Sequence, residues 1–173
     1  MKIRVTTKLL NIAGIKPVKD VSDPLEELPG EWYAASVSLL RQGKLAIHFL
    51  HYPTYISILI PGKSLNKIIP LLPAKVSAFL KRHGYEILEP EFKLNTEPEI
   101  YTTNSRSMLG HMNQIKYNLE YHFARAYTVN DIDYDRLEDI HFDYLFGGKN
   151  LGSRYIKPME ILDKLVKNRI SNI

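Results

Sequence analysis

The chain has 173 residues, 45% of them hydrophobic and 24% charged, with a net charge of +4 and no cysteine. That length suits one domain with a real core, and the balance excludes a disordered chain. The missing cysteine excludes a disulfide framework, a thiolate nucleophile and thiolate-bound zinc, which agrees with a reducing cytosol.

The opening residues Met1 to Lys8 are broken by charge and hydroxyl groups and lack the apolar run of a signal peptide. The most apolar region, 45–73, is interrupted by His48, His51, Pro53, Pro61, Gly62, Lys63 and Asn66. It falls short of the roughly 18 apolar residues that a membrane helix needs. The expectation is a soluble, cytoplasmic protein without a membrane partner. Charge is arranged in blocks. Residues 131–143 carry six acids against Arg136, and residues 149–169 carry six bases against Glu160 and Asp163. Neighbouring blocks of opposite sign pair or solvate within one fold more readily than they make a nucleic-acid groove. The mark of such a groove is a basic stripe of one sign, so nucleic acid is a disfavoured partner.

In chain order, Lys2 to Thr6 reads as a short strand. Thr7 can cap a brief helix over 8–13, stopped by Gly14. A loop follows over 15–30, rich in proline and acid. Glu31 to Leu40 alternates as a strand, and Arg41-Gln42-Gly43-Lys44 is a hairpin turn in which Gly43 takes positive φ. Strands over 44–51 and 54–60 complete an antiparallel meander. Ser64 caps a short turn to Ile69, and Pro73 opens a helix that ends near His83 before Gly84. Its buried stripe is Val76, Phe79, Leu80 and His83. Residues 85–98 carry no clear period. Glu99 to Thr103 is a strand, 106–125 a long helix, and 135–140 a weak one. Phe142 to Phe146 leads into the turn at Gly147-Gly148, and Pro158 starts the last helix. That helix has Ile161, Leu162, Leu165 and Val166 on its apolar face.

At 100° per residue the long helix gathers Met108, Met112, Ile115, Leu119 and Ala126 on one face, with His122 and Phe123 at its edges. Arg106, Gly110, Asn113, Tyr117, Glu120 and Tyr121 lie opposite. A plain solvated face favours Lys and Glu. Gly110 costs about 1 kcal/mol against alanine in a helix interior, which points to something packing closely there, either another element or a ligand. The corner before this helix offers free N–H groups at the positive end of the helix dipole. With Arg106, Ser105 and Ser107 it can form an anion site. The plainer reading has Asn104 or Ser105 simply capping the helix.

The run Thr103-Asn104-Ser105-Arg106-Ser107-Met108-Leu109-Gly110-His111-Met112-Asn113 resembles the T-N-x-R-S-x-L-G-x-M-N motif of an uncharacterised bacterial family, domain of unknown function 6933. Thr6-Thr7-Lys8-Leu9-Leu10 is similar to that family's T-K-L-L opening, and Gly30-Glu31-Trp32-Tyr33-Ala34 to its G-D-W-Y-A strand start. The segment from Arg154 to Glu160 resembles its closing aromatic-x-x-P-x-E. Ser105, His111 and Gln114 depart from the usual Asn, Ser and Asp. The resemblance implies a bacterial, cytosolic, small α+β domain and no reaction. It shortlists Thr7, Lys8, Trp32, Tyr33, Arg106, Ser107, Gly110 and Asn113 for a shared site.

Other signals fail on spacing. Asp131-x-Asp133-x-Asp135 opens like a calcium loop, but Arg136 stands where glycine is needed and Phe142 where glutamate is. His48 and His51 are three apart on a strand and face opposite ways. The run Gly147 to Ser153 lacks the spacing of a phosphate loop. No metal or cofactor is assigned. The expected architecture is one α+β domain over 1–173, an antiparallel three-stranded meander plus one or two further strands, packed with three to four helices. The favoured function is a binding or regulatory domain using Lys8, Trp32, Arg106, Ser107, Gly110, Asn113 and Tyr117 to hold an anionic small molecule, a nucleotide or a protein segment. The alternatives are a small hydrolase or transferase, with Arg106 and Lys8 stabilising negative charge and a hydroxyl or His111 moving protons, and a purely structural interaction domain.

Overall fold

The computed structural model describes residues 1–18, 24–147 and 155–171. In chain order the elements are β1 (Lys2–Val5), α1 (Thr7–Ala13), β2 (Glu31–Ser38), β3 (Leu45–Tyr52), β4 (Ser57–Pro61), α2 (Leu65–Ile68), α3 (Leu72–Arg82), β5 (Glu99–Thr102), α4 (Arg106–Arg125), α5 (Tyr134–Phe142) and α6 (Pro158–Ser171). A 3₁₀ stretch, Glu86–Phe92, fills the region without a period. Among the described residues no helix is long and apolar enough to cross a membrane.

The fold is α+β, but its sheet is not the expected one. The meander is present: β2 pairs antiparallel with β3, and β3 with β4. Beyond it the strand order is β4-β3-β2-β1-β5, and β1 runs parallel to both β2 and β5. The sheet is therefore mixed. A hairpin is announced by its own turn residues, whereas a parallel neighbour arrives from a distant part of the chain with no local mark. Among the described residues there are six α-helices, more than expected, two of them being short pieces.

The two faces bury separate clusters, because successive strand residues point to opposite sides. On one face Ile3, Val5, Trp32, Ala34, Ile47, Phe49, Ile58 and Ile60 meet α1, α2, α3 and the 3₁₀ stretch. On the other, Tyr33, Val37, Leu50 and Leu59 meet Met108, Met112, Ile115, Leu119 and Phe123 of α4. The stripe read from the period of α4 is thus its buried face, extended by His111 and shortened at Ala126, which is the C-cap. The third meander strand starts at Ser57 and not Thr54. A turn intervenes, in which the Tyr55 N–H donates to the His51 carbonyl at 2.7 Å and Thr54 Oγ1 lies 2.7 Å from His51 Nδ1.

Strand β4 is an edge, and α5 covers it. The Leu59 N–H donates to Glu138 Oε1 at 2.8 Å, which satisfies an edge donor that would otherwise recruit another chain. α5 runs longer than expected because Asp133 caps it, accepting from the Arg136 N–H. Phe142 ends that helix, and Phe146 instead forms an isolated bridge with Ile156. The acidic block is spent on structure. Asp135 faces Lys75 and Arg82, Asp139 faces Arg82 and His83, and Asp143 accepts from Lys157. Asp131 accepts from the Thr128 N–H. Apart from Lys157, the basic partners come from α3 and not from the C-terminal block. Most of the glycine-rich run from Gly147 to Ser153 lies outside the described residues.

Candidate functional site

The site is built where β1 and β5 end. Val5 pairs with Thr102, so the two strands leave the sheet side by side, about 4.8 Å apart. β1 feeds α1, whose Leu9 and Leu10 enter the Trp32 face of the core. β5 feeds α4, which packs on the opposite face. In open α/β sheets, adjacent parallel strands that send their helices to opposite faces mark the topological switch point, outside whose carboxyl ends ligands bind. Thr6, Thr7 and Lys8 follow the end of β1. Thr103, Asn104, Ser105, Arg106 and Ser107 follow the end of β5. Lys8 and Arg106 are exposed, and Ser107 is half-buried.

Ser105 is the helix cap. Its Oγ accepts from the Met108 N–H at 3.2 Å, satisfying one of the free donors of the first turn. Thr6, not Thr7, stands at the N-cap of α1, without a side-chain cap bond.

Beneath the corner lies a buried polar network. The Arg4 and Glu31 side chains are both fully buried, and Arg4 Nε donates to Glu31 Oε2 at 2.9 Å. Arg4 Nη1 donates to the Thr102 carbonyl at 3.2 Å, tying the pair to the end of β5. The Tyr33 hydroxyl sits 2.9 Å from Glu31 Oε1 and 2.7 Å from Asn104 Oδ1. Burial first, and the Glu31 charge second, hold the Tyr33 phenol far above its ordinary pKa, so it stays a protonated donor. Arg4, Glu31, Tyr33 and Asn104 thus fix the Asn104–Ser105 backbone from below. Gly30 is required by a close approach. It has φ +61°, and an added Cβ would lie 2.1 Å from the Tyr52 carbonyl oxygen.

The sequence candidates divide. Lys8 comes just after β1, and Arg106 and Ser107 just after β5, two strands that end side by side. Trp32 lies elsewhere: it is 1% exposed, paired in register with Ile3 at the other end of β1, and packed on His51 at a centroid distance of 4.6 Å. It is a core residue. Gly110, Asn113 and Tyr117 climb the outer face of α4, all exposed. Tyr117 lies eleven residues beyond Arg106, roughly 16 Å along the axis, too far to share a small ligand with the corner. An added Cβ at Gly110 would meet nothing within 4 Å among the described residues, so none of them packs against it. Gly110→Ala should therefore stabilise the protein by about 1 kcal/mol, read from urea midpoints. A loss of stability would show that the α4 backbone is approached after all.

Ser107 Oγ lies 3.4 Å from His111 Nε2, an i,i+4 contact on one helix. His111 is buried against Tyr55 and Phe146, and burial lowers its pKa, so the ring is neutral at pH 7. Arg4 and Asn104 were not on the list of site residues. No local signal marks them, because each finds its partners across the sheet.

The family model of domain of unknown function DUF6933 matches residues 2–161. The chain belongs to the DUF6933 family. That match runs from β1 into the first turn of α6 and takes in the segments after β1 and β5 and the network beneath them. In this DUF6933 domain the two segments that resemble the family's opening and central motifs therefore meet at one end of the sheet, and the Gly30–Ala34 segment supports them from inside. No curated protein and no solved structure matches the chain.

Proposed function

We propose that this is a small binding domain whose switch-point crevice takes an anionic ligand, with the phosphate of a nucleotide or phosphorylated metabolite as the favoured chemistry. The observation that carries the reading is the meeting of Thr6–Lys8 with Thr103–Ser107 at adjacent carboxyl ends, β1 and β5 being parallel and in register. Two exposed cations, Lys8 and Arg106, flank the start of α4, where N–H groups and the helix dipole favour negative charge. The rigid base made by Arg4, Glu31, Tyr33 and Asn104 supports a preformed crevice, which lowers the ordering cost of binding.

The test is a thermal-shift series with inorganic phosphate, pyrophosphate and nucleoside mono- and triphosphates. A ligand present at a hundred times its Kd adds about 2.7 kcal/mol, or roughly 5–10 °C in Tm for a domain of this size. Arg106→Ala and Lys8→Ala should each remove most of that shift while leaving the unliganded Tm within about 1 °C, as exposed positions do. A shift that survives both substitutions, or no shift with any anion, overturns the reading.

A further inference from the structure

A second, separate cleft of about 620 Å³ opens between the 24–30 loop, the 3₁₀ stretch and α6. That volume is in the range of small-molecule sites, which bury an apolar body and fix it with a few polar groups. Leu28, Leu88, Ile161 and Leu165 form its apolar lining, and the exposed Glu26 and Glu27 also line it. At the other end Glu91 accepts from Arg169, which closes the 3₁₀ stretch onto α6 and neutralises the cation of that wall. The opposite wall is held by the Gly30 N–H, which donates to the Glu27 carbonyl at 2.8 Å. Glu26 and Glu27 are exposed and make no ion pair with any described residue. The cleft therefore combines an apolar lining with two exposed carboxylates that form no ion pair among the described residues.

We infer that this cleft binds a small organic cation, a primary ammonium or guanidinium carried on an aromatic or branched alkyl body. The body replaces water over Leu28, Leu88 and Leu165, the ordinary gain of covering apolar surface. The charged head stays near Glu26 and Glu27 and in contact with solvent, so it is not stripped of hydration without compensation. A carboxylate on the same body meets repulsion there, and a neutral analogue gains only the apolar part. The site lies across α6 and the loop, on other elements than the anion crevice, and its test does not depend on that reading.

Three probes of one shape separate the outcomes: 2-phenylethylammonium, 2-phenylethanol and phenylacetate, titrated by calorimetry and by amide chemical-shift mapping. The ammonium should bind at millimolar concentration and shift the amides of Leu28, Leu88 and Leu165. It should be preferred to the neutral analogue by about five- to tenfold, as two exposed carboxylates allow, with phenylacetate weakest. The double variant Glu26→Gln/Glu27→Gln, at exposed positions, should keep its Tm and lose the preference while still admitting the neutral ring. Equal binding of all three probes, a preference that survives the double variant, or shifts confined to other surfaces would overturn the proposal. So would light scattering that finds a dimer together with concentration-dependent amide shifts at Leu28, Leu88 and Leu165 in the absence of any probe.

Discussion

Lowering the pH from 6.5 towards 4.5 should destabilise the protein by about 2.7 kcal/mol per pH unit, the effect of two protons at about 1.4 kcal/mol each. Three histidines set the direction. His48, His51 and His141 are fully buried, and burial lowers their pKa values to about 3, 4 and 4. His141 adds to the effect at His48, and His122 to that at His141. In the unfolded chain each titrates at the ordinary 6.5. Between 6.5 and about 4 the unfolded state therefore binds protons that the folded state refuses. The stability these neutral rings contribute is present above pH 6.5 and is lost as pH falls through the folded values. His111, also lowered by burial, acts with the same sign.

Glu138 works the other way. Burial raises its carboxyl to about 7, against the lowering effects of the Leu59 N–H and Arg82. From about 4.5 to 7 the folded state keeps a proton that the unfolded state has released. This contribution is present below 4.5 and is lost as pH rises through 7. Three histidines against one carboxyl leave the net of two protons. A domain with about 5–15 kcal/mol in total loses much of its stability over two pH units. Urea midpoints measured at half-unit steps read the slope directly. Glu138→Gln keeps an acceptor for the edge of β4 and deletes the opposing titration, so it should steepen the dependence towards three protons. A flat profile from pH 7 to 5 would show that the three rings are not buried neutral.

Glu31→Ala should cost about 3–5 kcal/mol, because it leaves the Arg4 guanidinium fully buried without its counter-charge. The cost is larger than that of a surface ion pair, which is worth about 0–1 kcal/mol. Both members of this pair are excluded from water, and Glu31 also accepts from the Tyr33 hydroxyl. At roughly 2–4 °C per kcal/mol for a domain of this size, a melt followed by circular dichroism should move down by about 6–20 °C. Replacing both partners with apolar residues, Arg4→Met with Glu31→Leu, should recover much of the loss, since no charge is then stranded. A Glu31→Ala variant that melts within a degree or two of the parent would mean that water reaches Arg4. The double variant would also remove the Arg4 bond to the Thr102 carbonyl at the end of β5, so anion binding at the corner should weaken even where the melting temperature recovers.

The division between what was legible in the sequence and what was not follows the range of the interactions. The long helix was readable from Arg106 to Arg125 because its stripe repeats every 3.6 residues and Ser105 caps it with its own side chain. The hairpin at Gly43, with φ +66°, and the stop at Gly14 were readable because backbone sterics act within a few residues. Periodicity also separated His48 from His51, which the sheet turns to opposite faces.

The candidate site was only partly legible. The spacing of residues on α4 puts Arg106, Gly110, Asn113 and Tyr117 on one face, but a shared face is not a shared site when its ends are about 16 Å apart. Gly110 read as a close approach, and the packing leaves open space beside it. The glycine with a true close approach is Gly30, set by a carbonyl 22 positions further along the chain. Trp32 read as a ligand-binding candidate because it falls in the segment that resembles the family's G-D-W-Y-A strand start, and the structure buries it. Strand alternation alone does not say which face of a sheet is covered, and both faces of this one are.

By itself the sequence determined most of the local elements of this protein, the 3₁₀ stretch Glu86–Phe92 and several element bounds excepted, and which face of the long helix is apolar. Tertiary structure alone decided that β1 enters between β2 and β5, that Arg4 meets Glu31, and that the segments around Lys8 and Arg106 end side by side. The reason is physical. Helix period, caps and turns are free-energy differences between conformations of neighbouring residues, whereas parallel pairing and a buried ion pair exist only once distant segments have paid the entropy of coming together.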